Sequence, residues 1–411
     1  MSYLFSCIKA SASKVDLSSF RLPIFVALLL FGQVFFSTIA HYFGVENRFF
    51  ILPFRGFIAL YSSYVVLINL VANKTRFIEA FPLSLSAFWF IYFAKLFLDY
   101  FLFGAPIALP IWEFLAWGIG GCYLPSLACY FLANHSGRGR YPMSILFLGS
   151  LLLGSSAVLF AFSAGFSSLR FQLPSLNPIN ASHSFFGLAL ISISCLANRH
   201  SSFVKSLLSA FVAAFAVSMG IYAGSRGALL AFVFSFLIVF FASRFNRLWA
   251  LAALLFSAYL FIQFDPSDLI GRLSAAGSDN NSVLRLLAIR ESIRVFLGHP
   301  FLGAGFGYHL ELSASVGYQE MWYPHNFIFE SLGLGGILLT LPLFICIFLA
   351  VRSCVDCLNN SSTSQLWRIA ILVQALGYVA FSGHLSNVPL FWIALGLATS
   401  LAPQGLAKIS A

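Results

Sequence analysis

Apolar residues in this chain gather in blocks of about 20, the length an α-helix needs to cross a lipid bilayer. Twelve such blocks fall near 22–43, 51–71, 82–103, 113–133, 143–162, 180–197, 203–222, 227–243, 247–263, 326–351, 367–383 and 385–402. Connections such as 72–81 and 134–142 are too short to be domains. Residues 264–325, between the ninth and tenth blocks, are the exception. The pattern predicts an all-α polytopic membrane protein of about 12 spans, with residues 1–411 forming one integral membrane domain. The first block has a basic flank but is too long for a signal-peptide core and lacks a clear small-x-small site. It therefore reads as an uncleaved anchor.

Composition changes the picture by excluding water as the main solvent. Charged residues make up 9% of the chain and hydrophobic ones 60%, with 49 Phe, whereas a soluble domain carries about 25% charge. So few charges cannot cover a soluble surface, which excludes secreted, cytosolic and disordered classes. The net charge of +10 would point to nucleic acid in a soluble protein; here it sorts by side. Fourteen of the 23 basic residues lie on alternate connections: Lys9, Lys14, Arg21, Lys74, Arg76, Arg138, Arg140, Arg199, Lys205, Arg244, Arg247, Arg352, Arg368 and Lys408. The positive-inside rule then predicts an even number of spans, both termini cytoplasmic and 264–325 on the outer side. No nucleic-acid partner is expected. None of the seven Cys lies in 264–325, so no disulfide is predicted there. Cys354-Val-Asp-Cys357 is a lone CxxC without a second ligand pair and reads as structural.

The other nine basic residues carry the candidate chemistry. Apart from Lys95, which falls inside the third span, they are all Arg: 48, 55, 170, 226, 272, 285, 290 and 294. A guanidinium grips phosphate bidentately and cannot lose its charge, so an outer surface that keeps only Arg hints at an anionic ligand. Arg48, Arg55 and Arg170 read as ordinary interfacial snorkelling. Lys95 and Asp99, at i, i+4, share a helical face and can neutralise one another. Arg226 differs. It stands in Tyr222-Ala-Gly-Ser-Arg-Gly-Ala-Leu-Leu-Ala231, a tight break between the seventh and eighth spans, beside helix-terminal N–H groups that suit an anion.

Within 264–325, an amphipathic helix is predicted from about Val283 to Leu297, capped by Asn281 or Ser282 and ended by Gly298-His-Pro300. At about 100° per residue, Arg290, Glu291 and Arg294 cluster on one side. Arg285 falls on another face with Ala288, Ile289, Ser292 and Phe296, where an Arg must find a partner or a ligand. The following Pro300-Phe-Leu-Gly-Ala-Gly-Phe-Gly307 is weak as a nucleotide motif and reads as a flexible turn back toward the membrane. The loop ends in Glu320-Met-Trp-Tyr-Pro-His-Asn326, which brings His325 and Asn326 to the mouth of the tenth span. A His at that boundary suits acid–base work or substrate orientation.

Three segments in order resemble the O-antigen ligase/polymerase family of bacterial envelope proteins. They are Ser225-Arg226-Gly227-Ala228-Leu229-Leu230, then Arg285 with its helix into His299-Pro300 and the Gly303-x-Gly305 turn, then His325-Asn326 with Glu330 and Gly333 or the Gly pair at 335–336. Asn177-Pro178-Ile179 fits as well, and the likeness covers roughly 175–345. The resemblance implies a GT-C-like membrane glycosyltransferase, without metal or cofactor, in the bacterial inner membrane. Its site would face the periplasm and move a glycan from undecaprenyl diphosphate to an acceptor such as lipid A–core. Carried over, Arg226 and Arg285 would neutralise the departing diphosphate, and His325 would orient or deprotonate the attacking hydroxyl. Arg290, Arg294, Asn326 and Glu330 would help bind substrate. One departure stands out: where the family often has an acid just before the Gly pair, this chain has Leu332 or Gly333, which leaves Glu330 as the substitute.

The acceptor separates the family's activities: a ligase uses lipid A–core, a polymerase another lipid-linked repeat, an O-oligosaccharyltransferase a protein hydroxyl. The sequence leaves these open. Outside the family, a 12-span transporter or lipid-linked glycan flippase would predict two similar halves, and no half-length repeat is visible.

Overall fold

The computed structural model describes residues 18–72, 74–105, 107, 109–135, 141–164, 171, 176–197, 202–242, 255, 280–316, 323–359 and 365–401. The described chain is helical. Its elements are α1 (Ser18–Tyr42), α2 (Arg48–Ala72), α3 (Ala80–Phe97), α4 (Ile111–Leu115), α5 (Leu124–His135), α6 (Tyr141–Ala164) and α7 (Pro178–Leu196). There follow α8 (Phe203–Tyr222), α9 (Arg226–Ala242), α10 (Asn280–Gly298), α11 (Tyr308–Val316), α12 (Phe327–Asn359), α13 (Leu366–Phe381) and α14 (Pro389–Thr399). A π-helical turn extends α3 through Leu98–Leu102, and another, Ala116–Tyr123, joins α4 to α5 as one span. Among the described residues, eight stretches are long and apolar enough to cross a membrane, and α9, α13 and α14 are shorter apolar helices. The chain is thus a polytopic helical membrane protein. The expected ninth span at 247–263 lies outside the described residues apart from position 255, as do Cys7, Lys9, Lys14, Arg138, Arg140, Arg170, Arg199, Arg244, Arg247, Arg272 and Lys408.

Small residues set the packing. In a membrane, helices associate where Gly, Ala and Ser let backbones approach. Along α7, Ala181 through Leu196 are almost all buried, and α8 presents Ser206, Ser209, Ala213, Ala216 and Gly220 to it. The Ser182 hydroxyl donates to the Gly220 carbonyl at 3.0 Å. Asn177 caps α7, accepting from the Ile179 N–H at 2.9 Å with Pro178 at the first helical position. That is the local reason for the Asn-Pro-Ile sequence. α9 packs on α7 and α13, and α12 packs on α3, α10 and α14.

Two boundaries differ from the apolar pattern. The tenth span is broken: Gly336 has φ 58°, ψ −153° inside α12. The Pro300–Gly305 loop fills that break. The N–H groups of Ile337 and Leu338 donate to Pro300 and Phe301, while those of Ala304 and Gly305 donate to Gly333 and Leu334, all at 2.9–3.1 Å. The glycine-rich segment is therefore a docked turn, not a flexible one. Asp99 holds its far end, accepting from the Phe306 N–H at 2.7 Å. Lys95 stands 3.8 Å away to balance the charge, so the buried acid in the third span serves the fold. The second difference lies after α13. The last helix begins at Pro389 rather than near 385, leaving residues 382–388 as a non-spanning segment with a short 3₁₀ turn at Leu385–Asn387.

Candidate functional site

The sequence-predicted residues converge on the end of α13. Arg285 lies on the packed side of α10 one turn before Ala288, followed by Ser292 and Val295, all three buried. Its Nη1 donates to the Phe381 carbonyl at 3.1 Å. Arg226 opens α9 behind the Ser225 cap, whose hydroxyl accepts from the Ala228 N–H at 3.4 Å. The neighbouring Gly227 abuts the same residue: a Cβ there would stand 3.2 Å from the Phe381 Cβ. Asn326 accepts from the Ile328 and Phe329 N–H groups at 3.0 and 3.4 Å, capping α12, and donates to the Ala380 carbonyl at 3.1 Å. Its amide is thereby used to fasten the start of α12 to the end of α13.

His325 sits in a left-handed conformation, φ 52°, a strain that for a non-glycine residue persists only when its surroundings over-determine it. Its ring lies 4.1 Å from that of Tyr323, centroid to centroid. Nδ1 is buried without a hydrogen-bond partner among the described residues. Burial, then the neighbouring Arg285 and His384, push its pKa down to about 3, so the ring is neutral at physiological pH. The unfolded chain, with a His pKa near about 6.5, takes up a proton that the folded protein refuses. Stability should therefore fall as pH drops from about 6.5 toward about 3. In detergent, the unfolding midpoint of His325→Gln should decline less between about pH 7 and about pH 4 than that of the unmodified protein. Equal slopes would show that His325 is not held neutral.

Beneath His325 the fold assembles a group that sequence reading missed. His309 of α11, Glu330 of α12 and His384 of the 382–388 segment are all buried, with ligand-type atoms within 4.8 Å of one another. Both Glu330 oxygens lie 3.1 Å from the Leu385 N–H. His384 Nε2 lies 2.9 Å from Glu330 Oε1, and its Nδ1 accepts from the Ser386 N–H at 3.3 Å. A backbone N–H can only donate, so this assigns the proton to Nε2, facing the carboxylate. Burial, with His384 nearby, drives the His309 pKa far down. Tyr323 stands over this group, 5.6 Å from His384 ring to ring, and burial raises its phenol. No tight Asp/Glu/His cluster was visible in the sequence because 309, 330 and 384 are far apart in it. This set also has the residue types of a cation site.

The remaining candidates stand apart. Arg294 is exposed, and its guanidinium is engaged by Glu291, with Nε 2.9 and 3.0 Å from the carboxylate oxygens. Arg290 is exposed on the same helix. The Arg55 guanidinium lies 3.4 Å over the Trp117 ring, and Arg48 pairs with Glu46. Among the arginines named from the sequence, Arg226 and Arg285 are the two placed at the end of α13 within the described residues.

The fold and the site define a polytopic membrane protein with arginines and a neutral histidine gathered at one end of its bundle. Residues 208–344 match the family model described as O-Antigen ligase, so the resemblance read from the ordered motifs holds, and this stretch carries the O-antigen ligase domain. The match spans most of α8, all of α9, α10 and α11, and about half of α12, and thus Arg226, Arg285, His325, Asn326 and Glu330. Such a domain implies a ligase- or polymerase-like function on lipid-linked glycans in a membrane. No curated protein matches the chain.

Proposed function

We propose that this protein is an O-antigen ligase-like glycosyltransferase, moving a glycan from undecaprenyl diphosphate to lipid A–core on the periplasmic side of the inner membrane. The observation that carries the reading is the convergence of Arg226, Arg285 and His325 on the end of α13. In the reaction, an acceptor hydroxyl oxygen bonds to the sugar C1, and the bond from C1 to the diphosphate oxygen breaks. The electron pair leaves on the diphosphate, where fixed guanidinium charge stabilises it as it develops. The hydroxyl proton passes to the neutral His325 ring, whose proton affinity rises once the diphosphate anion binds beside it, and then to water. The buried Glu330–His384 pair holds the 382–388 segment in place beneath. Arg290 and Arg294, on the exposed face of α10, would meet headgroups or the distal glycan. Both termini would lie in the cytoplasm.

The reading is metal-independent, because the Glu330 oxygens already accept from Leu385 and face the His384 proton. Purified protein, given undecaprenyl-diphosphate glycan and lipid A–core, should release undecaprenyl diphosphate as glycan appears on the acceptor, unaffected by a chelator. Transport without that release would overturn the enzyme reading. Loss on chelation restored by a divalent cation would reassign His309, Glu330 and His384 as ligands. A polymerase of the same family would release the same lipid, but only with a second lipid-linked repeat as acceptor.

A further inference from the structure

A second polar recess borders the arginine site. It lies between α1, α7, α13 and the start of α14, opens to one side, and has a cavity volume of about 60 Å³. One wall comes largely from α1 and is apolar apart from Gln33; the other carries Asn180, His183, Gln374, Tyr378 and Asn387, and no charged side chain lines it among the described residues. Gln374 is fully buried. Its Nε2 lies 2.8 Å from His183 Nδ1 and 3.5 Å from the Ala228 carbonyl. Its Oε1 has no hydrogen-bond partner among the described residues. The His183 ring stacks on Tyr378, centroids 4.1 Å apart, and the Tyr378 hydroxyl donates to Asn180 Oδ1.

The placement ties this recess to the site. Ala228 is two residues from Arg226, Tyr378 is one turn before Phe381, and Asn387 lies in the 382–388 segment that holds His384. The lining also selects by chemistry. A buried amide oxygen without a donor costs free energy until an O–H or N–H reaches it. A hydrocarbon tail offers no such donor. An anion would find no cation in the wall and would face an acceptor. A neutral ring with hydroxyls at its rim and C–H groups on its faces satisfies both walls, and stacked aromatic surface suits those faces.

We propose that this recess seats the neutral sugar next to the diphosphate of the donor, with Gln374 accepting one of its hydroxyls. The inference rests on the glycosyltransferase reading above, and it adds that the donor is recognised by its first sugar as well as by its charge. The test uses full-length protein in nanodiscs and two probes: undecaprenyl diphosphate without sugar, and the same lipid bearing its glycan. Gln374→Leu should weaken the glycan-bearing probe about tenfold, the loss expected for one good hydrogen bond, and change the bare lipid less than about twofold. Asn387→Ala, at an exposed position on the recess wall, should show the same selectivity. Unchanged affinity for both probes in both variants would mean that the recess holds only water, and would overturn the proposal. Equal weakening of both probes would also overturn it, by placing lipid or diphosphate there. If instead Arg285→Ala leaves bare-lipid affinity intact, the diphosphate reading itself fails, which these arms separate from failure of the sugar subsite.

Discussion

Arg285→Ala should lower the rate of glycan transfer by about 10²- to 10³-fold, the loss typical of removing one fixed group aimed at developing charge. Arg294→Ala should stay within about twofold of the unmodified protein, since exposed pairs of this kind contribute little. The contrast is what gives the prediction its content. Both arginines belong to α10, nine positions apart, yet Arg285 reaches the Phe381 carbonyl whereas Arg294 is engaged by Glu291 in the open. Arg285→Lys should recover little, because an ammonium on a flexible stem cannot bond Phe381 and fork onto a phosphate in one fixed geometry. Losing the bond to Phe381 should cost about 1 kcal/mol of stability, so the unfolding midpoint moves slightly while transfer collapses. Rates with undecaprenyl-diphosphate glycan, read beside melting in the same detergent, separate the two effects. If Arg290→Ala or Arg294→Ala loses activity and Arg285→Ala keeps it, the face assignment is wrong.

That assignment was legible in the sequence because a helix repeats every 3.6 residues whatever surrounds it, so Arg285, Ala288 and Ser292 had to share a side. The spans were legible for a similar reason: lipid demands a run of apolar residues, and the described helices follow those runs within a few positions. What failed were places where the chain does something local and non-periodic. His384 falls between the apolar blocks 367–383 and 385–402, where spacing assigns it no role. Its importance arises from Gly383, at φ 92° just past the end of α13, and from Pro389, which opens α14, so that residues 382–388 fold under His325. Those turn-forming residues were the available signal. His309 carried no comparable mark; only the docking of α11 against α10, with Tyr308 hydrogen-bonded to Ser292, places it beside Glu330. Glu330 was named from the family pattern, but its burial at the meeting of α12 with the 382–388 segment could not be read from spacing.

The glycines at 303–305 and 335–336 belong to the same class, and they carry the other large expectation. Gly336→Ala should strongly destabilise the protein, and lost transfer should follow lost fold. Its φ of 58° with ψ of −153° lies where essentially only glycine is found, which costs another residue about 1–3 kcal/mol. Space compounds the strain. A Cβ would stand 2.6 Å from the Pro300 oxygen and the Phe301 carbonyl carbon, and 2.7 Å from the Gly303 nitrogen. All three are backbone atoms that cannot swing aside, so overpacking adds about 1–3 kcal/mol more. Relief requires the Pro300–Gly305 loop to leave the break, which would unpair the N–H groups of Ile337, Leu338, Ala304 and Gly305 together. It would also free the C-terminal end of α10, the helix that carries Arg285 near its start, and the first turns of α12 that carry Glu330. The unfolding midpoint in detergent should therefore drop by several degrees or the purified yield should collapse, whereas Gly154→Ala, in open space on α6, should change neither. A Gly336→Ala protein that melts normally and transfers glycan would show that the loop and the helix break are not one locked unit.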